Sequence, residues 1–290
     1  MNLQFPIPFS KMSGTGNDFI IIDHRQRVLG EIDLADFARA VCRRKFSVGA
    51  DGLILIEESD RADFGWQFLN GDGSVAEMCG NGARCAARFA YEKKIAPAAM
   101  RFETLAGIIE AAVNNDGLGS VKIRLTAPED IVLNRQVAVN GEMRTLHSVN
   151  TGVPHVVCLV DDVQAVPVVD WGRPVRYHEL FSPAGTNVNF VQKLSGNSLH
   201  VRTYERGVEN ETMACGTGAV AAAIVAALLG AVEQPVRVTT SGGEQLGVFF
   251  ELLSKKGAAG DGSVGAVYLE GPAHLVYEGY LGAEGLQSMA

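Results

Sequence analysis

The chain has 290 residues, which is long for one hydrophobic core and sufficient for two domains. Its 25 basic residues against 33 acidic residues give a net charge of -8, which argues against nucleic acid or an anionic membrane as a partner, because both favour a basic surface. A small charged or zwitterionic ligand is compatible with this balance.

The cysteines and the apolar segments point to a compartment. The five cysteines are odd in number and contain no Cys-x-x-Cys pair, as expected in a reducing environment. The N-terminus has no basic region ahead of a long apolar stretch, so no signal peptide is expected. The longest apolar run lies at 219–232, and it is so short that it predicts a buried helix and no membrane span. We therefore expect a cytoplasmic protein.

In the first half of the chain, strands alternate with helices. A strand is predicted at 17–23, and a helix follows an Asp33 cap. The next elements are strands at 52–57 and 64–69, a tight turn at 70–73, and short strands between 100 and 126. Between the turn and the short strands, Cys79-Gly80-Asn81-Gly82-Ala83 opens an Ala-rich helix.

The second half repeats this order. Strands are predicted at 156–160, 188–191 and 199–204, and Cys215-Gly216-Thr217-Gly218-Ala219 opens a second Ala-rich helix. The constant shift that superposes the two cysteine motifs needs no gap, and it also places Thr15-Gly16 on Thr151-Gly152. The sequence therefore predicts an internal duplication.

The duplication predicts an α+β fold of two similar domains. The second helix is apolar on every side, and such a helix must be enclosed. Each domain is therefore expected to be a curled, mostly antiparallel sheet or a barrel around its central helix. The active site is expected in the cleft between the domains, where both helix starts can reach one ligand.

The two matched cysteines, Cys79 and Cys215, are predicted to act as an acid/base pair. A cysteine at a helix N-terminus lies beside unpaired backbone N–H groups and the positive end of the helix dipole, which favour the thiolate. The glycines after each cysteine let a ligand carboxylate approach those N–H groups. One thiol can then remove an α-proton from one face of a carbon while the other returns a proton to the opposite face, which inverts the stereocentre.

The remaining cysteines have a simpler interpretation. Cys42, Cys85 and Cys158 are predicted to be small buried apolar residues. Zinc is not expected, because the spacing of Cys79 and Cys85 does not fit a zinc site and no His lies nearby.

Polar residues at strand ends surround the two motifs. They are Asn17, Asn70, Asn81, Asn187, Glu205 and Arg206. Backbone capping in a turn explains any single Asn equally well, and Glu205-Arg206 also fits a solvated ion pair. Their shared placement favours a site. His155 is either a buried strand residue or a site residue.

With these residues in view, the sequence resembles the diaminopimelate epimerase family, cofactor-independent isomerases of lysine and peptidoglycan precursor synthesis. The matching segments are residues 11–19, 49–52, 77–85, 151–155, 185–190, 204–207 and 214–218. The resemblance implies epimerisation of LL-diaminopimelate to meso-diaminopimelate without pyridoxal phosphate, with this diamino diacid as the small-molecule partner.

The resemblance also implies a role for each candidate residue. Cys79 and Cys215 would alternate as thiolate and thiol. Glu205 and His155 would orient the ammonium group at the reacting centre. The reacting carboxylate would be bound by Gly80, Asn81, Gly216 and Thr217, and the distal amino-acid end by Asn17, Asn70, Asn187 and Arg206.

Domain limits and assembly follow from the same resemblance. It implies domains at 1–125 with 277–290 and at 126–276, with a terminal strand at 277–281 that returns to the first domain. A homodimer is an open expectation. Val153 and Gly52 stand where some family members carry Asn and Gln, so neither is assigned a side-chain contact to substrate.

Other classes of function stay open at this point. A proline or hydroxyproline racemase-like enzyme uses the same two-thiol logic, although the resemblance would then place a His at position 81. A thiol redox protein would instead cycle Cys79 and Cys215 through a disulfide. A non-catalytic amino-acid binding protein would need the two helix starts but not both sulfurs.

Overall fold

The computed structural model describes residues 3–114, 119–254 and 263–289. The chain divides into two compact units, one formed by Met1–Ile123 with Gly271–Ala290 and the other by Arg124–Glu270. None of the helices within the described ranges is long and apolar enough to cross a membrane.

The first unit is built on a sheet of eight described strands. They are β1 (Ile7–Gly14), β2 (Asn17–Asp23), β3 (Gly52–Glu57), β4 (Phe64–Asn70), β5 (Ala99–Thr104), β6 (Gly107–Val113), β7 (Ser120–Leu125, of which residues 120–123 belong to this unit) and β17 (His274–Leu281). Their order in the sheet is β17-β1-β2-β3-β4-β5-β6-β7. The pairs β2–β3 and β4–β5 are parallel and the others are antiparallel.

Two helices pack against this sheet. Helix α1 (Leu34–Val41) begins after Asp33, whose side chain accepts hydrogen bonds from the backbone N–H groups of Ala35 and Asp36, as the sequence predicted. Helix α2 (Gly80–Glu92) contacts β1, β2, β3 and β6. A helix that contacts strands from both halves of a sheet requires the sheet to curl around it. The small residues of α2, such as Ala83 and Ala86, are fully buried and allow this close approach.

The second unit repeats this arrangement. Its strands are β8 (Glu129–Val139), β9 (Glu142–Asn150), β10 (Pro154–Leu159), β11 (Asn187–Lys193), β12 (Ser198–Glu205), β13 (Asn210–Thr212), β14 (Val236–Thr239), β15 (Gln245–Ser254) and β16 (Ser263–Pro272, of which residues 263–270 belong to this unit). Their order is β8-β9-β10-β11-β12-β14-β15-β16, and the short strand β13 pairs with the end of β12. The pairs β10–β11 and β12–β14 are parallel, at the same two places as in the first unit.

The central helix of the second unit is enclosed, as its sequence predicted. Helix α4 (Gly216–Leu228) is buried at every position from Gly218 to Leu228. It contacts β9, β10, β11, β12, β14 and β15. The second unit therefore also curls a sheet around an Ala-rich helix.

Matching strand order and matching parallel pairs confirm the predicted α+β fold of two similar domains. The described strands of each unit form an open sheet, so the barrel alternative is wrong. The repeat also contains a small offset. Ile20 pairs with Leu53 in the first unit, whereas Val156 pairs with Val188 in the second. The segment between the two paired residues is therefore one residue shorter in the second unit. The segment from β11 to α4 is one residue longer than its counterpart, which restores the constant shift at the cysteines.

One α-helix of the described residues was not predicted from the sequence, and neither were the short 3-10 helices Glu179–Phe181 and Ala283–Met289. Helix α3 (Val168–Arg176) follows Pro167 and contains Pro174. Both residues are typical helix breakers, so the local sequence did not favour a helix. Packing against β11 and β12, with Val168 and Val175 buried, stabilises α3 in the folded chain.

Candidate active site

Cys79 is the N-cap residue of α2. Its backbone is extended, with φ -144° and ψ 118°, and its sulfur accepts a hydrogen bond from the backbone N–H of Gly82 at 3.5 Å. The side chain is half-buried. The N–H groups in the first turn of a helix have no intrahelical acceptor, so this helix start combines a thiol with donors for an anion, as predicted.

The Asn81 side chain is committed to the protein. It is buried, and its amide group donates to Asn17 Oδ1 at 2.8 Å and to the carbonyl oxygen of Thr15 at 3.3 Å. Its own Oδ1 accepts from Arg84 at 2.8 Å. What residue 81 offers a ligand is therefore its backbone N–H group.

Arg84 supports this helix start and was not predicted. Its side chain is fully buried and donates to Thr15 Oγ1 at 2.6 Å, to the carbonyl oxygen of Gly80 at 3.3 Å and to that of Pro272 at 3.4 Å. The available signal was an Arg in the first two turns of an Ala-rich helix, directly before the apolar positions of its core-facing side. The equivalent position in α4, in the register that superposes the two cysteines, is Val220.

Asn17 is held from its other side by a charged cluster. Its amide group donates to Asp51 Oδ2 at 3.0 Å, and Asp51 also accepts from Arg44 at 2.9 Å. Asp18 accepts a hydrogen bond from Arg44 and forms an ion pair with Lys11. Burial raises the pKa of Asp18, but the hydrogen bonds from Arg44 and Lys11 outweigh it and the pKa lies below its ordinary value. The cluster thus fixes the start of β2 beside α2.

Asn70 is the last residue of β4 and the first of the predicted turn. Its carbonyl oxygen accepts from the N–H of Gly73 at 2.9 Å, and its side chain donates to Ser74 Oγ at 2.9 Å. Both contacts belong to the turn, as the capping interpretation expects. Within the described residues, the Asn81 side chain contacts that of Asn17, whereas the Asn70 side chain bonds Ser74 of its own turn.

Cys215 occupies the same position in the second unit as Cys79 in the first. It is the N-cap residue of α4, with φ -127° and ψ 108°, and its sulfur lies 3.5 Å from Thr217 Oγ1. The pKa of the Cys215 thiol is raised to about 11, because burial and then the nearby Glu205 charge raise it more than the hydrogen bonds from Thr217 and Gly218 lower it. The expectation that the helix start favours the thiolate is therefore outweighed here.

Hydroxyl and apolar side chains lie around Cys215 within the second unit. The small pocket beside this residue is lined by Thr203, Thr212, Thr240 and Ser241 together with Val201, Met213, Ala214 and Ala219. The Thr151 hydroxyl donates to the carbonyl oxygen of Thr217 at 3.2 Å and holds the first turn of α4.

Glu205 lies at the end of β12 and is half-buried. Its Oε2 accepts a hydrogen bond from Thr212 at 2.7 Å. Burial raises the pKa of Glu205, and the Thr212 hydrogen bond offsets part of that rise. Glu205 is therefore not the solvated ion-pair member that the alternative interpretation expected, and its charge acts on Cys215.

Asn187 and Arg206 contact each other. The backbone N–H of Arg206 donates to Asn187 Oδ1 at 2.9 Å, and the Asn187 amide group donates to the carbonyl oxygen of Pro154 at 3.1 Å. The Arg206 guanidinium donates to the carbonyl oxygen of Ala184 at 3.1 Å. Two of the four residues that the resemblance assigned to the distal end thus contact each other directly.

His155 is a buried residue of β10, and only one of its two ring nitrogens has a hydrogen-bond partner in the described part of the structure. Its Nδ1 lies 3.1 Å from the amide nitrogen of Asn189, whereas its Nε2 has no hydrogen-bond partner in the described part of the chain. Burial, together with the Arg206 charge, lowers the pKa of His155 to about 3. The ring is therefore neutral at physiological pH. Asn189, two residues beyond the predicted Asn187, was not singled out from the sequence.

Comparison with known proteins shows that the sequence is similar to that of one enzyme family. The sequence model of the family described as "Diaminopimelate epimerase" matches residues 9–129 and 147–248. The chain is 49% identical over 288 residues to the diaminopimelate epimerase of Aquifex aeolicus, with 96% of this chain and 99% of the relative covered. It is 47% identical over 286 residues to that of a Hydrogenobaculum species, with 95% and 98% covered.

Solved structures share the fold at much lower sequence identity. A hydroxyproline epimerase from Agrobacterium vitis, crystallised with trans-4-hydroxy-L-proline, superposes with a TM-score of 0.66 at 15% identity. The match covers 98% of this chain and 94% of that one. At this identity the likeness shows the fold alone.

Proposed function

The chain belongs to the diaminopimelate epimerase family, and we propose that it carries out the family's reaction with Cys79 and Cys215 as its acid/base pair. It is an isomerase that epimerises LL-diaminopimelate to meso-diaminopimelate. The observation that carries the two-thiol proposal is the equivalence of Cys79 and Cys215, which are N-cap residues of matching thirteen-residue helices in two repeated units.

The reaction moves one proton off the substrate and one proton on. The thiolate of one cysteine removes the α-proton and becomes a thiol, while the electron pair left on carbon delocalises into the adjacent carboxylate. The thiol of the other cysteine then protonates the opposite face of that carbon and becomes the thiolate. The pKa of Cys215, raised to about 11, favours its thiol form, and we propose Cys79 as the base that removes the proton from the LL isomer.

The reacting carboxylate is proposed to bind the helix starts through backbone N–H groups. Those of Gly80 and Asn81 belong to α2, and those of Gly216 and Thr217 belong to α4. The commitment of the Asn81 side chain to Asn17 and Thr15 supports binding through the backbone at that position. Donors aimed at the carboxylate stabilise the negative charge that develops as the proton leaves.

Recognition of the rest of the substrate is proposed to use the neighbouring polar clusters. Glu205, a hydrogen-bond acceptor whose charge acts on Cys215, is proposed to bind the ammonium group at the reacting centre. The distal amino-acid end is assigned to Asn17, Asn70, Asn187 and Arg206. The contact between Asn187 and Arg206 supports their acting together.

We also propose a homodimer in the cytoplasm. Strand β17 pairs with β1 along one edge and exposes apolar side chains, among them Val276 at 56% and Tyr280 at 75%. Exposed apolar side chains on an outer strand favour a protein partner. A second copy of this chain fits, because its identical strand offers the same surface.

Exchange of the α-proton in heavy water tests the mechanism. The reduced enzyme is expected to incorporate deuterium at one α-carbon of LL-diaminopimelate and to form the meso isomer without added cofactor. Cys79→Ser and Cys215→Ser are each expected to reduce epimerisation by at least about a thousandfold, because serine is a far weaker acid than cysteine. Cys158→Ala, at a buried cysteine of β10, is the matched control and is expected to retain activity.

The same assay separates the competing functions. Retained exchange in the Cys79→Ala, Cys215→Ala double variant would remove both thiols from the mechanism. Faster turnover of hydroxyproline than of diaminopimelate would favour a racemase of the proline type. A thiol-disulfide exchange activity that Cys79→Ser abolishes, in an enzyme that never exchanges an α-proton, would favour a redox protein.

A further inference from the structure

Three neighbouring strands of the second unit carry a continuous chain of side-chain hydrogen bonds. The Thr203 hydroxyl of β12 donates to Asn189 Oδ1 of β11 at 2.9 Å. The Asn189 amide nitrogen in turn lies 3.1 Å from His155 Nδ1 of β10 and 2.9 Å from the carbonyl oxygen of Val156. Thr203, Asn189 and His155 are all buried, with at most 3% of their surface exposed.

The partners of Asn189 fix the direction of every bond in this chain. A backbone carbonyl oxygen only accepts, so the atom that faces Val156 is the NH₂ group, and its second hydrogen points to His155. Nδ1 of His155 must therefore accept. In a neutral imidazole with an accepting Nδ1, the proton resides on Nε2.

The first turn of α4 packs directly against these hydrogen-bonded side chains. Gly218 is the third residue of that helix, and a Cβ atom placed there would overlap Asn189 Oδ1. The same turn contains Thr217 and begins at Cys215. The hydrogen-bonded side chains thus support the helix start to which the reacting carboxylate is assigned.

We infer that Asn189 is a positioning residue that locks His155 as a neutral hydrogen-bond donor, whose Nε2–H group binds a carboxylate oxygen at the reacting centre. The motivation is the leftover Nε2–H, because a buried donor without a partner in the described residues calls for an acceptor supplied by the ligand. The inference rests on the proposed function and deepens it.

This assignment differs from the one that the family resemblance implied. An ammonium group has only donors, and so does an Nε2–H group. His155 in this tautomer cannot accept a hydrogen bond from the substrate ammonium. Glu205, whose carboxylate accepts, is left as the ammonium-binding residue.

Nitrogen NMR of the histidine rings tests the tautomer without substrate. In ¹⁵N-histidine-labelled enzyme, the His155 ring is expected to show a protonated Nε2 and an unprotonated Nδ1, identified by loss of its signals in His155→Gln. A protonated Nδ1 in the wild-type enzyme would overturn the inference. Because the NMR experiment uses no substrate, its outcome does not depend on the result of the epimerase assay.

Asn189→Asp tests the positioning role. The carboxylate cannot donate to Nδ1, so the His155 proton is expected to move to Nδ1, and kcat to fall by about ten- to a hundredfold with a smaller change in KM. Asn197→Asp introduces the same charge on an exposed turn, and its side-chain oxygen can still accept from the N–H of Glu233; it is the matched control and is expected to leave kcat unchanged.

A second pair of variants tests the donor itself and does not depend on the folding of Asn189→Asp. His155→Gln retains an N–H donor near the position of Nε2, whereas His155→Leu retains none. The Gln variant is expected to keep at least about tenfold more activity than the Leu variant. Equal activity of the two, or wild-type kcat in a folded Asn189→Asp, would overturn the inference. No α-proton exchange in the wild-type enzyme would instead refute the proposed function.

Discussion

The side-chain amide of Asn81 donates to Asn17 Oδ1 at 2.8 Å and joins the first turn of α2 to the start of β2. The equivalent positions in the second unit, in the register that superposes the two cysteines, are Thr217 and Val153. That unit therefore lacks this amide pair. The repeat preserves the cysteine, the helix start and the threonine at positions 15 and 151 but not the Asn pair.

Asn17→Asp is expected to lower kcat/KM by about tenfold or more, mainly through a higher KM. The Asn17 amide donates to Asp51 at 3.0 Å, and an Asp at position 17 would place two carboxylates at that distance. The double variant Asn17→Asp, Asp51→Asn restores a donor–acceptor pair with reversed direction and is expected to recover part of the loss. Steady-state kinetics with LL-diaminopimelate measures both. Wild-type kcat/KM in the single variant would remove Asn17 from the binding site.

Glu205→Gln is expected to increase the reactivity of Cys215 near neutral pH. The negative charge of Glu205 is the second largest cause, after burial, of the raised pKa of about 11 for Cys215. Removing that charge lowers the thiol pKa, so alkylation by iodoacetamide should rise at a lower pH than in the wild-type enzyme. Mass spectrometry of the Cys215 peptide gives the rate. Glu179→Gln, at an exposed residue of the same unit, is the control. An unchanged pH profile would show that Glu205 does not act on this thiol.

Local patterns in the sequence were sufficient to predict much of the fold. The strands β2 and β3 and helix α1 have the bounds expected from apolar spacing and from the Asp33 cap. Both central helices begin directly after their cysteines. Cys42, Cys85 and Cys158 are buried, as predicted. These features depend on residues close together in the chain, which sequence periodicity can reveal.

Features that depend on strand pairing were missed. Thr203 and His155 meet only through Asn189, because β10, β11 and β12 lie side by side in the correct register. A one-residue change of register would turn the Asn189 side chain to the other face of the sheet. At Cys215 the hydrogen bonds of the helix start do lower the thiol pKa, but burial and Glu205, which act through tertiary packing, outweigh them. A local helix-start argument contains neither contribution.

Tyr280→Glu combined with Val276→Glu is expected to convert the proposed dimer to a monomer. Both side chains are exposed on β17, and burying a carboxylate without a partner in an apolar interface is unfavourable. Light scattering after size-exclusion chromatography gives the mass. Leu105→Glu, at a side chain of the same unit that is 69% exposed, is the control and is expected to keep the wild-type mass. A wild-type enzyme that elutes as a monomer at micromolar concentration would contradict the dimer proposal.

Gly218→Ala is expected to destabilise the protein and to abolish most of the epimerase activity, whereas Gly82→Ala is expected to be much milder. The two glycines occupy equivalent positions in α4 and α2. A Cβ at Gly218 overlaps Asn189 Oδ1, an atom fixed by the Thr203 hydrogen bond, whereas a Cβ at Gly82 would meet Ile54 Cδ1 at 3.2 Å. The end of an Ile side chain moves aside more readily than a hydrogen-bonded amide.

We expect the free energy of unfolding to fall by about 1–3 kcal/mol for Gly218→Ala and by less than about 1 kcal/mol for Gly82→Ala. Urea unfolding measures both losses, and the epimerase assay then compares the variants at a temperature where each is folded. Because the Gly218 substitution displaces Asn189, its remaining activity should resemble that of Asn189→Asp more than that of Gly82→Ala. Equal stability and equal activity in the two alanine variants would mean that the Asn189 side chain can move aside without cost. The close contact between α4 and the His155 hydrogen-bond chain would then have no part in holding the helix start in place.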